Sequence, residues 1–226
     1  MNAQKLGKFD DPLLDRQIEE IIFRLNNIMA LKAKIGTTSN YLEVESDGTL
    51  VLRGNATGWL DVFFPMSPPK TTGAGNPTLV NWLGNLRNYS FSVNDAHDFD
   101  PQEYPHNGKV GATATPHIHF VSRTNVAEPR GIKWEIEYSQ QGYGGVFPTP
   151  TVVSGEYTVP ANTPTNTHVI FDLPTFTTLG PASLMCCRLK RIAATGTAPA
   201  ADPVVLGVHY HFPVDTPAGS RSIITK

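Results

Sequence analysis

The chain has 226 residues, a formal net charge of -2 and 40% hydrophobic side chains, which suits one large β domain plus an arm. Charged residues make up only 17%, low for a soluble monomer and fitting for a protein with much of its surface in contacts. The balanced charge argues against a nucleic-acid groove or an anionic membrane as partner, no apolar run approaches the ~18 residues of a membrane span, and no N-terminal run resembles a signal peptide.

Residues 1–10 read as a leader. Asp11-Pro12 then predicts a helix start, with Asp as N-cap and Pro in the first turn. Asp15, Glu19 and Glu20 favour its N-terminal end, and Lys32 and Lys34 its C-terminal end. Gly36 reads as the stop, so the predicted helix spans residues 12–35. Along it Leu14, Ile18, Ile21, Leu25, Ile28 and Ile35 repeat at alternating steps of 4 and 3, with Lys32 the one interruption. That is a coiled-coil seam, with Ile18, Leu25 and Lys32 at a and Leu14, Ile21, Ile28 and Ile35 at d. Ile at d shifts preference from two strands to three or four, and Ile22 and Met29 at e widen the stripe. An amphipathic helix packed on its own domain is the alternative; the 3.5-residue period and the terminal position favour the oligomer.

Residues 42–52 read as a hairpin around Asp47-Gly48. After it, strands are predicted at 59–64, 88–93, 117–123, 131–139, 152–159, 167–173, 183–192 and 204–212. The cleanest is Ile132-Lys133-Trp134-Glu135-Ile136-Glu137-Tyr138, apolar on one face and charged on the other, as in an antiparallel sheet. No βαβ alternation and no internal repeat interrupts the pattern. The predicted fold is mainly β: an antiparallel β-sandwich of jelly-roll type preceded by one coiled-coil-like helix. The expected divisions are 1–36 (leader and oligomerisation or docking helix), 37–58 (hairpin linker) and 59–226 (β domain). Cys186 and Cys187 are strand neighbours that point to opposite faces, poorly placed to bond each other. Buried thiols fit folding in a reducing cytoplasm.

Histidines are the residues with chemistry to argue. His117-Ile118-His119 and His209-Tyr210-His211 each put two imidazoles on one face of a strand, a spacing that could hold Zn, Fe or Ni if the strands are neighbours. In a trimer, one such strand per subunit at the axis could present six imidazoles to one ion. Histidines hydrogen-bonded across a sheet or at a subunit interface are the reading favoured over both. Asp98, Asp100 and Glu103 put three carboxylates in one loop, without the spacing of a Ca²⁺ loop or a glycosidase pair, and read as solvated acids. Gly142-Tyr143-Gly144-Gly145 opens no helix and reads as a turn.

His117/His119 superficially resembles the metal-binding pair of the cupin enzymes, but no Glu follows at a few residues' spacing and no Gly-rich motif frames it. A wider resemblance rests on Glu103-Tyr104-Pro105-His106, Pro116-His117-Ile118-His119-Phe120, Lys133-Trp134-Glu135-Ile136-Glu137-Tyr138, Cys187-Arg188-Leu189-Lys190-Arg191, Val208-His209-Tyr210 and Asp215-Thr216-Pro217-Ala218-Gly219-Ser220. In order and spacing these resemble a family of tailed-bacteriophage virion proteins from about residue 59 to the end. The resemblance implies a trimeric jelly-roll component of the particle, assembled in the host cytoplasm and bound to the major capsid protein or other virion proteins. The expectation is a non-enzymatic capsid decoration (cement) protein without a cofactor. The alternatives are a head or tail fibre, which Trp59, Trp82, Tyr143 or Phe147 at an exposed tip would favour, and a cupin-like metalloenzyme.

Overall fold

The computed structural model describes residues 12–32, 34–45, 48–69, 74–123 and 125–216. The expected leader 1–10, the Asp11 cap, Asp47 of the hairpin turn and Pro217–Ser220 of the last signature lie outside them. The chain divides after Thr57 into two compact units.

In the first unit, helix α1 spans Pro12–Lys32, 21 residues or about 31 Å. The helix stops short of the predicted end. Lys34–Gly36 form strand β1, which pairs antiparallel with β2 (Tyr41–Val44), and β2 pairs with β3 (Leu50–Arg53). Gly36 is therefore the entry to a hairpin rather than a helix cap. Its φ is +137°, and a Cβ there would stand 2.4 Å from the Asn40 carbonyl oxygen. Ile35, counted as the last seam residue, sits opposite Leu42 on this small sheet and is 70% exposed. The Arg53 guanidinium ties the sheet together by donating to Glu43 at 2.9 Å and to Glu45.

The second unit is built from twelve strands: β4 (Gly58–Pro65), β5 (Thr78–Leu83), β6 (Leu86–Ser90), β7 (Ala96–Asp98), β8 (Gln102–Glu103), β9 (Thr113–Ser122), β10 (Arg130–Gln141), β11 (Thr151–Val159), β12 (Thr167–Asp172), β13 (Phe176–Thr177), β14 (Leu184–Ile192) and β15 (Val204–Val214). All pairings are antiparallel. One sheet runs β12-β9-β15-β6-β5, with β13 extending β9's partner edge and β4 alongside β15. The other runs β11-β10-β14-β7, with β8 also on β14. The sheets curl into a half-barrel, and the chain is mainly β, as its alternation predicts.

The pairing is nested. β10 pairs with β11, β9 with β12, β7 and β8 with β14, and β6 with β15. The chain thus folds back on itself around the β10–β11 turn, and successive layers of that long hairpin fall alternately in the two sheets. The inward residues follow from period-2 alternation. On β10, Ile132, Trp134 and Ile136 are buried while Lys133, Glu135 and Glu137 are half-exposed. They share one core with Phe120 and Ile118 of β9, Leu189 of β14, and Val208, Tyr210 and Phe212 of β15. Phe91 and Phe120 pack their rings on Trp134 at 5.6 and 5.7 Å. Each such ring, fully buried, contributes about 1.5–3 kcal/mol of apolar burial. Cys186 and Cys187 form no disulfide, and Cys187 is buried in this core.

Candidate functional site

Because β9 is central and buried on its inner face by Ala114, Ile118 and Phe120, its odd-numbered residues face outward. The same alternation on β15 turns Val208, Tyr210 and Phe212 inward and His209 and His211 outward. The two strands are hydrogen-bonded neighbours, and their register sets His209 directly opposite His117 and Gly207 opposite His119. The two HxH pairs therefore meet on one outer face. A ring nitrogen from each of His117, His119 and His209 lies within 4.8 Å of the other two. The rings are close-packed: His119 to His209 at 4.2 Å, His117 to His119 at 4.9 Å, His117 to His209 at 5.1 Å and His117 to His211 at 4.4 Å between centroids.

Flanking strands add groups that sequence spacing does not reveal. From β12, His168 lies at hydrogen-bond distance from His119, Nε2 to Nδ1 at 2.9 Å, and Asp172 stands opposite His117. From β4, Asp61 stands opposite His211 and meets its Nε2 at 3.0 Å. Phe63 packs its ring on His209 with centroids 4.4 Å apart and planes tilted by 45°. That contact needs Gly207, where a Cβ would come within 2.0 Å of the Phe63 ring. An open cleft beside the cluster is lined by Trp59, Leu60, Asp61, Thr115, Asp172 and His211.

The electrostatics follow from burial and from gathering like groups. His117 is 3% exposed, and desolvation, followed by His211, His119 and His209, lowers its pKa to about 4. Desolvation first, and histidine neighbours, also lower His119; desolvation and His211 lower His209 against the opposing pull of Asp61. At neutral pH these rings are uncharged, the form in which imidazole binds a metal.

The other predicted groups are dispersed. Asp98 faces Arg188 at 3.5 Å and Glu103 lies 3.1 Å from His106 Nε2, so these two loop acids have separate partners. On α1, Ile18 is half-buried, and Ile21, Ile22, Phe23 and Leu25 are 55, 40, 66 and 52% exposed. Leu14 and Ile28 lie on the helix, with side chains outside the described residues. Among the described residues no helix is long and apolar enough to cross a membrane.

Compared with known proteins, the chain matches no family, no curated protein and no solved structure.

Proposed function

We propose that the chain is a structural protein of a virus particle, a homotrimeric capsid decoration (cement) protein of a tailed bacteriophage that binds the major capsid protein. The observation that carries the reading is the apolar stripe of α1, where Ile21 and Leu25 remain more than half exposed. A helix with heptad spacing and an exposed seam asks for a partner with the same spacing, and copies of itself supply one. Ile at the d position Ile21 favours three or four helices over two. The nested strand pairing supports a jelly roll, since two four-stranded layers wrapped from one long hairpin are what that fold consists of. The sequence signatures from Glu103 onward supply the phage part of the reading. Three chains on one particle present three weak contacts at once, and their avidity far exceeds any single contact. The work is burial of surface, with no reaction.

A second reading, an outward-facing fibre or adaptor, draws on the β10–β11 loop and the start of β4. There Tyr143, Val146 and Trp59 are 80, 90 and 66% exposed, and exposed aromatics of this kind stack on glycans or proteins.

Absolute mass by light scattering tests the assembly on which both readings rest. The full chain is expected near 74 kDa, three times 24.6 kDa, and Ile21→Asp with Leu25→Asp is expected to shift it toward 24.6 kDa. An unchanged trimer in the variant would move assembly into the β domain; a monomeric parent would refute the trimer.

A further inference from the structure

We propose that His117, His119 and His209 form a binding site for one divalent transition-metal ion of the zinc class per chain. The site lies on the outer face of β9 and β15, strands of the second unit. Three features of the geometry carry it.

The first is distance. Ring nitrogens from the three residues are already within 4.8 Å of one another. A tetrahedral ion with Zn–N bonds near 2.05 Å needs its ligand nitrogens about 3.3 Å apart. The difference is within reach of rotation about the side-chain bonds of His119 and His209, which are only half-buried. The backbone need not move, because the β9–β15 ladder fixes His117 opposite His209.

The second is the set of groups behind the ligands. A metal-binding histidine usually commits its other ring nitrogen to a fixed partner, which sets the tautomer and aims the free nitrogen. His119 has such a partner: its Nδ1 meets His168 Nε2 at 2.9 Å, which leaves Nε2 for the ion. His211 is likewise held by Asp61 at 3.0 Å beside the cluster. Asp172, opposite His117, and Asp61 supply negative charge near a dication that three neutral imidazoles do not neutralise.

The third is donor chemistry and access. Imidazole nitrogens suit Zn²⁺, Co²⁺, Ni²⁺ and Cu²⁺ and discriminate against Mg²⁺ and Ca²⁺, which require oxygen. Three protein ligands leave a fourth position open to water. His119 and His209 are only half-buried, which gives an ion access to them, and a cleft lined by Trp59, Asp61, Asp172 and His211 opens beside the cluster. Ordinary cross-strand hydrogen bonding explains His119 with His168 and His211 with Asp61. It does not explain why His117 and His209, stacked on each other, pack their rings against these two pairs instead of a larger apolar or branched residue.

The test uses the full chain, purified without a histidine tag and stripped with chelator, then titrated with Zn²⁺ and separately with Co²⁺. Saturation at one ion per chain with micromolar or tighter affinity is expected, along with the visible absorption of a nitrogen-ligated Co²⁺. His119→Gln and His209→Gln, on the half-exposed side of the cluster, are expected to weaken binding roughly tenfold or more each, with unchanged far-UV circular dichroism. His106→Gln, in the separate pair with Glu103, is expected to bind as the parent does. Absence of saturable binding below millimolar Zn²⁺ would overturn the proposal. So would one ion per three chains, or an unweakened affinity when His119→Gln and His209→Gln are combined.

Discussion

Acidifying the metal-free chain interrogates the histidine face through its buried member. His117 has a folded pKa of about 4 against 6.5 for an unperturbed ring, held down first by burial and then by His211, His119 and His209. Between pH 6.5 and 4 the unfolded chain binds a proton that the folded chain refuses. A lowered histidine pKa therefore leaves stability untouched above pH 6.5, erodes it as the pH falls toward 4, and adds no further loss below that, where both states are protonated. The full gap of 2.5 units, 6.5 minus 4, corresponds to about 3 kcal/mol at 1.36 kcal/mol per unit, of which about 2.5 kcal/mol has been lost by pH 4.5. The assay is urea unfolding in the presence of chelator at several pH values from 7 to 4.5, on the parent chain and on His117→Gln, which keeps a polar side chain but cannot titrate. Asp95, whose burial raises its pKa, works in the opposite sense, favouring the folded state as the pH falls. It is common to both proteins and cancels in the difference. The parent is expected to lose about 2.5 kcal/mol more than the variant over this range. Parallel stability curves for the two proteins would refute the account of a ring held neutral by its surroundings.

Two further substitutions probe what positions that face and what anchors the sheet behind it. Gly207→Ala is expected to cost about 1–3 kcal/mol, because its Cβ would displace the Phe63 ring from His209. In a Phe63→Ala background the same substitution should be nearly neutral, and a full penalty there, measured by urea unfolding, would show that the ring is not the obstacle. The buried Arg191 guanidinium donates to the Phe91 carbonyl at 2.6 Å and to Asp202. Asp202→Asn should therefore destabilise by about 3 kcal/mol, the low end for a buried charge losing its partner, while Arg191→Met with Asp202→Asn recovers much of the loss. Equal destabilisation of the single and double variants would exclude a stranded charge as the cause.

How much of the fold the sequence discloses depends on how sharply each strand separates its faces. β10 is legible because Ile132, Trp134 and Ile136 enter the core and the three charged residues between them do not. β5 escapes notice because Leu79 and Leu83 lie on the more exposed face while Val80 and Trp82 are half-buried on the other, so apolar residues fall on both sides and the alternation blurs. β7, β8 and β13, of two or three residues each, are too short to carry a period. The helix end fails for a different reason. Ile35 falls on the heptad count, but the count is blind to the Gly36 backbone, whose close approach to Asn40 belongs to a hairpin. Nested pairing leaves no local trace at all, since β6 and β15 are separated by more than a hundred residues yet hydrogen-bonded.

The histidine site shows the same division between local and non-local information. Each HxH pair announces that two rings share a face, because that follows from the period of a strand. Nothing local says that the two faces are one face. That follows from β15 lying beside β9 in the register that puts His209 against His117, a consequence of where the outer layers of the hairpin close. His168, Asp61 and Asp172 are single residues on the flanking strands, without a spacing to mark them; a search for lone histidines and acids at outward positions of strands rich in inward apolar residues is the signal that could have found them. Five of the seven histidines thus converge from three strands on one patch, and desolvation rather than any single partner sets the protonation of its centre. A face meant only to be wet would be served by threonine or lysine, which carry no cost of crowded imidazoles. The crowding itself, held in register by backbone hydrogen bonds and by the space Gly207 leaves for Phe63, is the physical ground for assigning the patch a ligand.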